Sequence, residues 1–256
     1  MYKKIKLSIT AMLLSSSLMA IEIHSGAEAV NIVGKQRMYT QRLLKDYAMV
    51  GMNNTYDNPS ADLKKTIDDF SDHLSSLEAY AKDGATKEAL KKVDALWSKT
   101  KTALEVKPDL ASVGKLQEDL DALLKASDEA TKSFAKASGE KKGEVVNIAG
   151  RQRMLSQRMA SLYMLKVWGV SDPKFKAKLT DTMTLFKDSL KKLEDSPLTN
   201  DEIQGLLKKV KRSFMFFEMM NRSSSKFVPT LIYKKSNEML ENMDKVTQLY
   251  VKRDAK

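Results

Sequence analysis

A twelve-residue pattern occurs twice in this chain, identical at eight positions. The segment Asn31-Ile-Val-Gly-Lys-Gln-Arg-Met-Tyr-Thr-Gln-Arg42 returns 116 positions later as Asn147-Ile-Ala-Gly-Arg-Gln-Arg-Met-Leu-Ser-Gln-Arg158. The groups in it that could do chemistry are guanidiniums and amides. Arg37 and Arg153 hold equivalent positions, and each presents paired N–H donors in one plane, which match a small planar oxyanion. Two guanidiniums meeting in a partly dry interface repel each other unless an anion or carboxylates neutralise them. At this level two readings stay open: the arginines share an anion, or they pair with carboxylates of neighbouring helices. Gly34 and Gly150 carry no side chain and let another helix come close, at a helix-propensity cost of about 1 kcal/mol each. Asn31, Gly34, Met38 and Gln41 follow i, i+3, i+7, i+10 spacing and form a narrow stripe beside Arg37. Arg42 lies about 140° around the helix from Arg37, so the two point different ways.

Other chemistry is sparsely supplied. There is no cysteine, which removes disulfides, thiolate metal sites and cysteine nucleophiles. The two histidines, His24 and His73, fall outside the motif and are expected to be exposed. No metal-ligand spacing or glycine-rich phosphate loop occurs, so a non-enzymatic protein with no cofactor is expected.

The elements that position the motif are helices. Leu63, Ile67, Phe70, Leu74 and Leu77 alternate spacings of four and three, as do Leu116, Leu120 and Leu123 with Leu124 adjacent, and strand alternation is missing. The 116-residue offset also aligns Phe70 with Phe186, Leu124 with Leu240 and Asp128 with Asp244; one residue of slippage brings Leu90-Lys-Lys-Val93 onto Leu207-Lys-Lys-Val210. The chain therefore reads as two copies of one unit, residues 21–138 and 139–256. Each copy is expected to be an antiparallel four-helix bundle, the two packed as a pseudo-twofold dimer in an all-α protein. Asn58-Pro59 and Asp172-Pro173 suit helix starts, and Thr199-Asn-Asp-Glu202 has the form of a capping box. Ser138-Gly-Glu-Lys-Lys-Gly143 is the expected link between copies. Phe214-Met-Phe-Phe-Glu-Met-Met220 is apolar on nearly every side, which fits either a helix packed between the two bundles or a docking surface.

The net charge of +11 is unevenly placed. Residues 1–20 combine three lysines with a short apolar run and read as a cleaved secretory signal peptide, which predicts a periplasmic protein. Residues 21–138 carry 17 Lys/Arg and 19 Asp/Glu, net −2, whereas residues 139–256 carry 24 and 14, net +10. A basic excess confined to one copy is not a uniform nucleic-acid coat, and base-reading motifs are missing.

The pattern Asn-Ile-x-Gly-Lys/Arg-Gln-Arg-Met-x-Ser/Thr-Gln-Arg resembles the signature of the PilJ-type sensor domain of type IV pilus methyl-accepting chemotaxis transducers, and is similar to the periplasmic P-box of nitrate/nitrite sensor kinases. The resemblance covers both copies. It implies a four-helix sensor module that binds nitrate at a dimer interface. The anion-holding arginine of the pattern falls on Arg37 and Arg153, its asparagine on Asn31 and Asn147, its glycine on Gly34 and Gly150, and its methionine on Met38 and Met154. Arg42 and Arg158, with Gln41 and Gln157, fall at supporting positions. The expected function is a periplasmic binding protein for nitrate or a similar small oxyanion, a monomer whose tandem copies replace two protomers. Receptors of this type continue into a transmembrane helix and a signalling domain; without these, the chain is expected to work with a separate membrane receptor or kinase. The alternative is a structural or adaptor protein of a chemosensory or pilus system that has no small ligand.

Overall fold

A computed structural model describes residues 21–139, 141–222 and 228–253, so the expected signal peptide lies outside the described residues. Eight helices follow in order: α1 (Gly26–Gly51), α2 (Pro59–Tyr80), α3 (Gly84–Leu104), α4 (Val113–Ser138), α5 (Lys141–Trp168), α6 (Phe175–Glu194), α7 (Asp201–Arg222) and α8 (Pro229–Lys252). No strand occurs among the described residues, and the all-α fold follows the heptad-like spacing of the sequence.

Helices α1 and α5, which carry the motif, are central. They pack on each other more extensively than any other pair, with α1 also against α2 and α4, and α5 against α6 and α8. Their burial shows this: nearly every residue of α1 from Ala27 to Met49 is buried, whereas α2, α3 and α4 bury one face. The two run side by side in the same direction, since Gly34 lies beside Arg153, Gly150 beside Arg37, and Gly51 at the far end beside Trp168. The repeat is visible in the core as well. Phe70 stacks on Trp97 between α2 and α3, and Phe186 stacks on Phe214 between α6 and α7, with the one-residue slip of the sequence register.

Local chemistry sets the helix ends. Ser25 Oγ accepts from the Glu28 amide, Asn58 Oδ1 from that of Ala61, and Asp83 Oδ1 from that of Thr86. Three expectations about ends are corrected. The Thr199 capping box does not form: Asn200 Oδ1 accepts the Ile203 amide, and the Thr199 hydroxyl instead bonds Leu193 O at 2.6 Å. Asp172 lies in the turn before α6, where it accepts from the Lys174 amide, and the helix starts only at Phe175. The link between copies is shorter than Ser138–Gly143, because α4 runs to Ser138, Gly139 caps it at φ 61°, and α5 already begins at Lys141.

Two side-chain expectations are corrected in part. His24 is exposed, but His73 is buried, its ring 5.3 Å from that of Tyr39. Its sequence neighbours are polar, yet it shares a helix face with Thr66, Phe70 and Leu77. The apolar Phe214–Met220 segment packs on α8 and lightly on α6 rather than between the copies. Phe214 and Phe217 point into the bundle, while Met215 and Met219 stand 58% and 56% exposed.

Candidate functional site

Arg37 and Arg153 are the largest fully buried side chains among the described residues, each 0% exposed. A guanidinium does not lose its proton readily, so burial on this scale requires partners. The partners come from both copies and are reciprocal. Arg37 Nη1 donates to Asp128 Oδ1 at 2.7 Å and its Nη2 to the main-chain oxygen of Asn147 at 3.2 Å. Arg153 Nη1 donates to Asp244 Oδ1 at 2.6 Å and its Nη2 to the main-chain oxygen of Asn31 at 3.2 Å. Each arginine thus ties its own helix to the last helix of its copy and reaches across to the motif helix of the other.

The glycines explain how two guanidiniums fit. A Cβ at Gly34 would stand 3.4 Å from Arg37 Nη2 and 3.6 Å from Arg153 Nη2, and one at Gly150 would stand 3.3 Å from both. The two Nη2 groups therefore converge against a pair of bare backbone faces. Some bonding capacity is left over: Nε of Arg37 and of Arg153, and the side-chain oxygens of Asn31 and Asn147, are buried without a hydrogen-bond partner.

The electrostatics follow from burial and pairing. Burial pushes the Arg37 pKa down to about 10, with Asp128 opposing the fall. Burial alone would raise the Asp128 carboxyl, but hydrogen bonds from Lys132 and Arg37 and the Arg37 charge outweigh it and hold the pKa below the usual carboxylate range. Asp244 is likewise held low against burial by Arg153 and Lys35. Two buried cations are thus matched by two anions that face partly outward, with side chains 26% and 30% exposed.

The remaining motif residues divide by task. Gln36 and Gln152 donate to the main-chain oxygens of Phe70 and Phe186, at 3.1 and 2.8 Å, and fix α1 to α2 and α5 to α6. Gln41 Oε1 accepts from Ser161 across the copies, and Gln157 donates to Ser236 O. Met38 is in the core, whereas Met154 lines a groove of about 590 Å³ between α4, α5 and α6 together with Arg151, Arg158 and Asp128. Arg42 and Arg158 stay away from the central pair. Arg42 pairs with Asp62 of α2 at 2.8 Å, and Arg158 with Asp121 of α4 at 2.9 Å.

Below the arginines the copies differ. Lys45 and Asp46 are both fully buried in α1, with Lys45 Nζ 2.6 Å from Asn237 Oδ1 and 4.0 Å above the Tyr233 ring of α8. The equivalent positions of the second copy are Ser161 and Leu162. Asp46 lies 3.6 Å from Arg42 Nε and 3.7 Å from Lys45 Nζ, and burial raises its carboxyl pKa against the pull of these two cations and of the Tyr233 hydroxyl. Burial pushes the Lys45 pKa down to about 8, against the pull of Asp46.

The residues missed from sequence are Asp128 and Asp244, Gln36 and Gln152, and the Lys45–Asp46 pair. The repeat itself marked the aspartates as an aligned pair, and the glutamines as identical in both motif copies. The family model described as "Type IV pili methyl-accepting chemotaxis transducer N-term" matches residues 22–131 and again 134–214. No curated protein and no solved structure matches the chain.

Proposed function

Because the chain belongs to the family of type IV pili methyl-accepting chemotaxis transducer N-terminal domains, we propose that it is a non-enzymatic sensor module holding one small planar oxyanion, nitrate before others, between Arg37 and Arg153. The observation that carries this reading is the convergence of both Nη2 groups on the Gly34 and Gly150 faces, with both Nε donors unused. Guanidinium donors meeting in a water-poor interface attract a single negative charge, and a trigonal oxyanion accepts from several N–H groups in one plane. In this reading the copies 21–138 and 139–256 act as the two halves of one receptor, the protein is periplasmic, and it reports occupancy to a membrane receptor. No described helix is long and apolar enough to cross a membrane.

A second reading has its own observation. Each Nη1 is already satisfied by an aspartate at 2.7 or 2.6 Å, so the arginines would serve only to join helices of a structural or adaptor protein. Titration separates the two. A ligand that binds the folded state stabilises it by RT ln(1 + [L]/Kd), so nitrate should raise the melting temperature in a saturable way while chloride at equal ionic strength does not. Calorimetry should show binding lost in Arg37→Ala and in Arg153→Ala. Gly34→Ala and Gly150→Ala should keep the fold and weaken binding, since the added methyl would stand 3.3–3.6 Å from the Nη2 groups that are proposed to hold the anion. If neither nitrate nor any other small oxyanion shifts the wild-type melting curve, the adaptor reading stands.

A further inference from the structure

Helix α7 shows solvent a face that its counterpart in the first copy lacks. Lys208, Arg212, Met215 and Met219 follow spacings of four, three and four, share one side of the helix, and are all exposed. In the one-residue-slipped register the first copy has Lys91, Ala95, Ser98 and Thr102 at these positions. The same bundle thus forms without the two methionines and the arginine, so packing does not explain them. Phe216, half-buried, borders the apolar end of the stripe, and Lys209 and Lys211 flank the basic end, the latter 3.3 Å from Glu194. Leu231 is exposed near the start of α8.

We propose that this face of α7 lies on the surface of an anionic lipid bilayer, its cations against the headgroups and Met215 and Met219 inserted among the upper acyl carbons. Charge favours this occupant, because the basic excess of residues 21–256 belongs entirely to the copy that carries the stripe, net +10 against −2. A stripe joining Lys/Arg to exposed apolar side chains on one outer helix gains from both components of such a surface, the negative headgroups and the apolar interior. The proposal is independent of any anion between Arg37 and Arg153.

The test is cosedimentation of the full chain with vesicles of phosphatidylcholine alone or mixed with phosphatidylglycerol. Binding is expected only to the mixed vesicles, and should fall as salt shortens the range of the attraction. Lys208→Glu with Arg212→Glu should weaken it at least about tenfold. Met215→Ser with Met219→Ser should weaken it several-fold while leaving the salt dependence in place. The control is Lys91→Glu with Lys92→Glu in the first copy, which should bind like wild type. Circular dichroism checks that these exposed substitutions leave the helices intact. No binding to mixed vesicles at low salt overturns the proposal, as does equal loss in the Lys91/Lys92 control, which would mean diffuse attraction to net charge. Retention by polyglutamate without vesicle binding overturns it in favour of an acidic protein partner.

Discussion

Two buried ion pairs and one buried imidazole dominate at the scale of single residues. Breaking a buried pair from one side leaves an uncompensated charge, which is costlier than never having had the pair. Asp128 and Asp244 therefore matter to the fold whichever function is right. His73 adds a pH dependence. Burial, with Lys35 and Arg153 nearby, pushes its pKa down to about 4 from 6.5. Between these values the unfolded chain takes up a proton that the folded chain does not, so stability rises with pH through the window and is complete above 6.5. At about 1.4 kcal/mol per pH unit, the fall on acidification to pH 4 amounts to about 3 kcal/mol. His73→Phe, which keeps a ring beside Tyr39, should lose that part of the slope, as read from urea midpoints at pH 4.5 and 7. The arginines and glycines were legible as a candidate site because the chain states them twice. Their carboxylate partners were not assigned, since a contact between residues 91 positions apart leaves no mark on helical periodicity.

Among the helices, α1 and α5 had the least ordinary sequences for central elements. A helix buried on several sides usually reads as continuously apolar, yet α1 buries Gln36, Arg37, Thr40, Gln41, Lys45 and Asp46. Hydrogen bonds to neighbouring helices make this tolerable: Gln36 to α2, Arg37 to α4 and α5, Lys45 to α8. The amphipathic outer helices could be placed from spacing alone, whereas which helices were central came from the motif. The far end of the α1–α5 contact is fixed by close approach. A Cβ on Gly51 would fall 2.1 Å from the Trp168 ring, so Gly51→Ala must push the indole or the helix aside. We expect Gly51→Ala to lower stability by about 2 kcal/mol and Trp168→Leu to recover part of it in the double variant, a coupling measurable by denaturant titration.

Taken whole, the copies are joined chiefly by α1 on α5, the contact that holds the arginines, with smaller contacts of α4 on α5 and of α1 on α8. Each copy alone would leave a motif helix with one flank uncovered and an arginine without its cross-copy carbonyl acceptor. Residues 21–138 and 139–256 expressed as separate chains should therefore associate when mixed, with copurification and light scattering as the readout, while the intact chain stays monomeric. Failure of the halves to associate would show that the two-residue connection after Ser138, rather than the α1–α5 face, keeps the copies together.

The buried Lys45–Asp46 pair has one more consequence. In a protein assembled from two identical chains every substitution arrives in duplicate, so a lysine at such a position appears on both sides of the axis. Fusion of the copies removes that constraint. Lys45 and Asp46 face Tyr233 and Asn237 on one side only, while Ser161 and Leu162 hold the matching places. A tandem chain can drift in one half while the other preserves the original arrangement, so inherited variation at these four positions should be uncorrelated between halves where that at the arginine pair is matched.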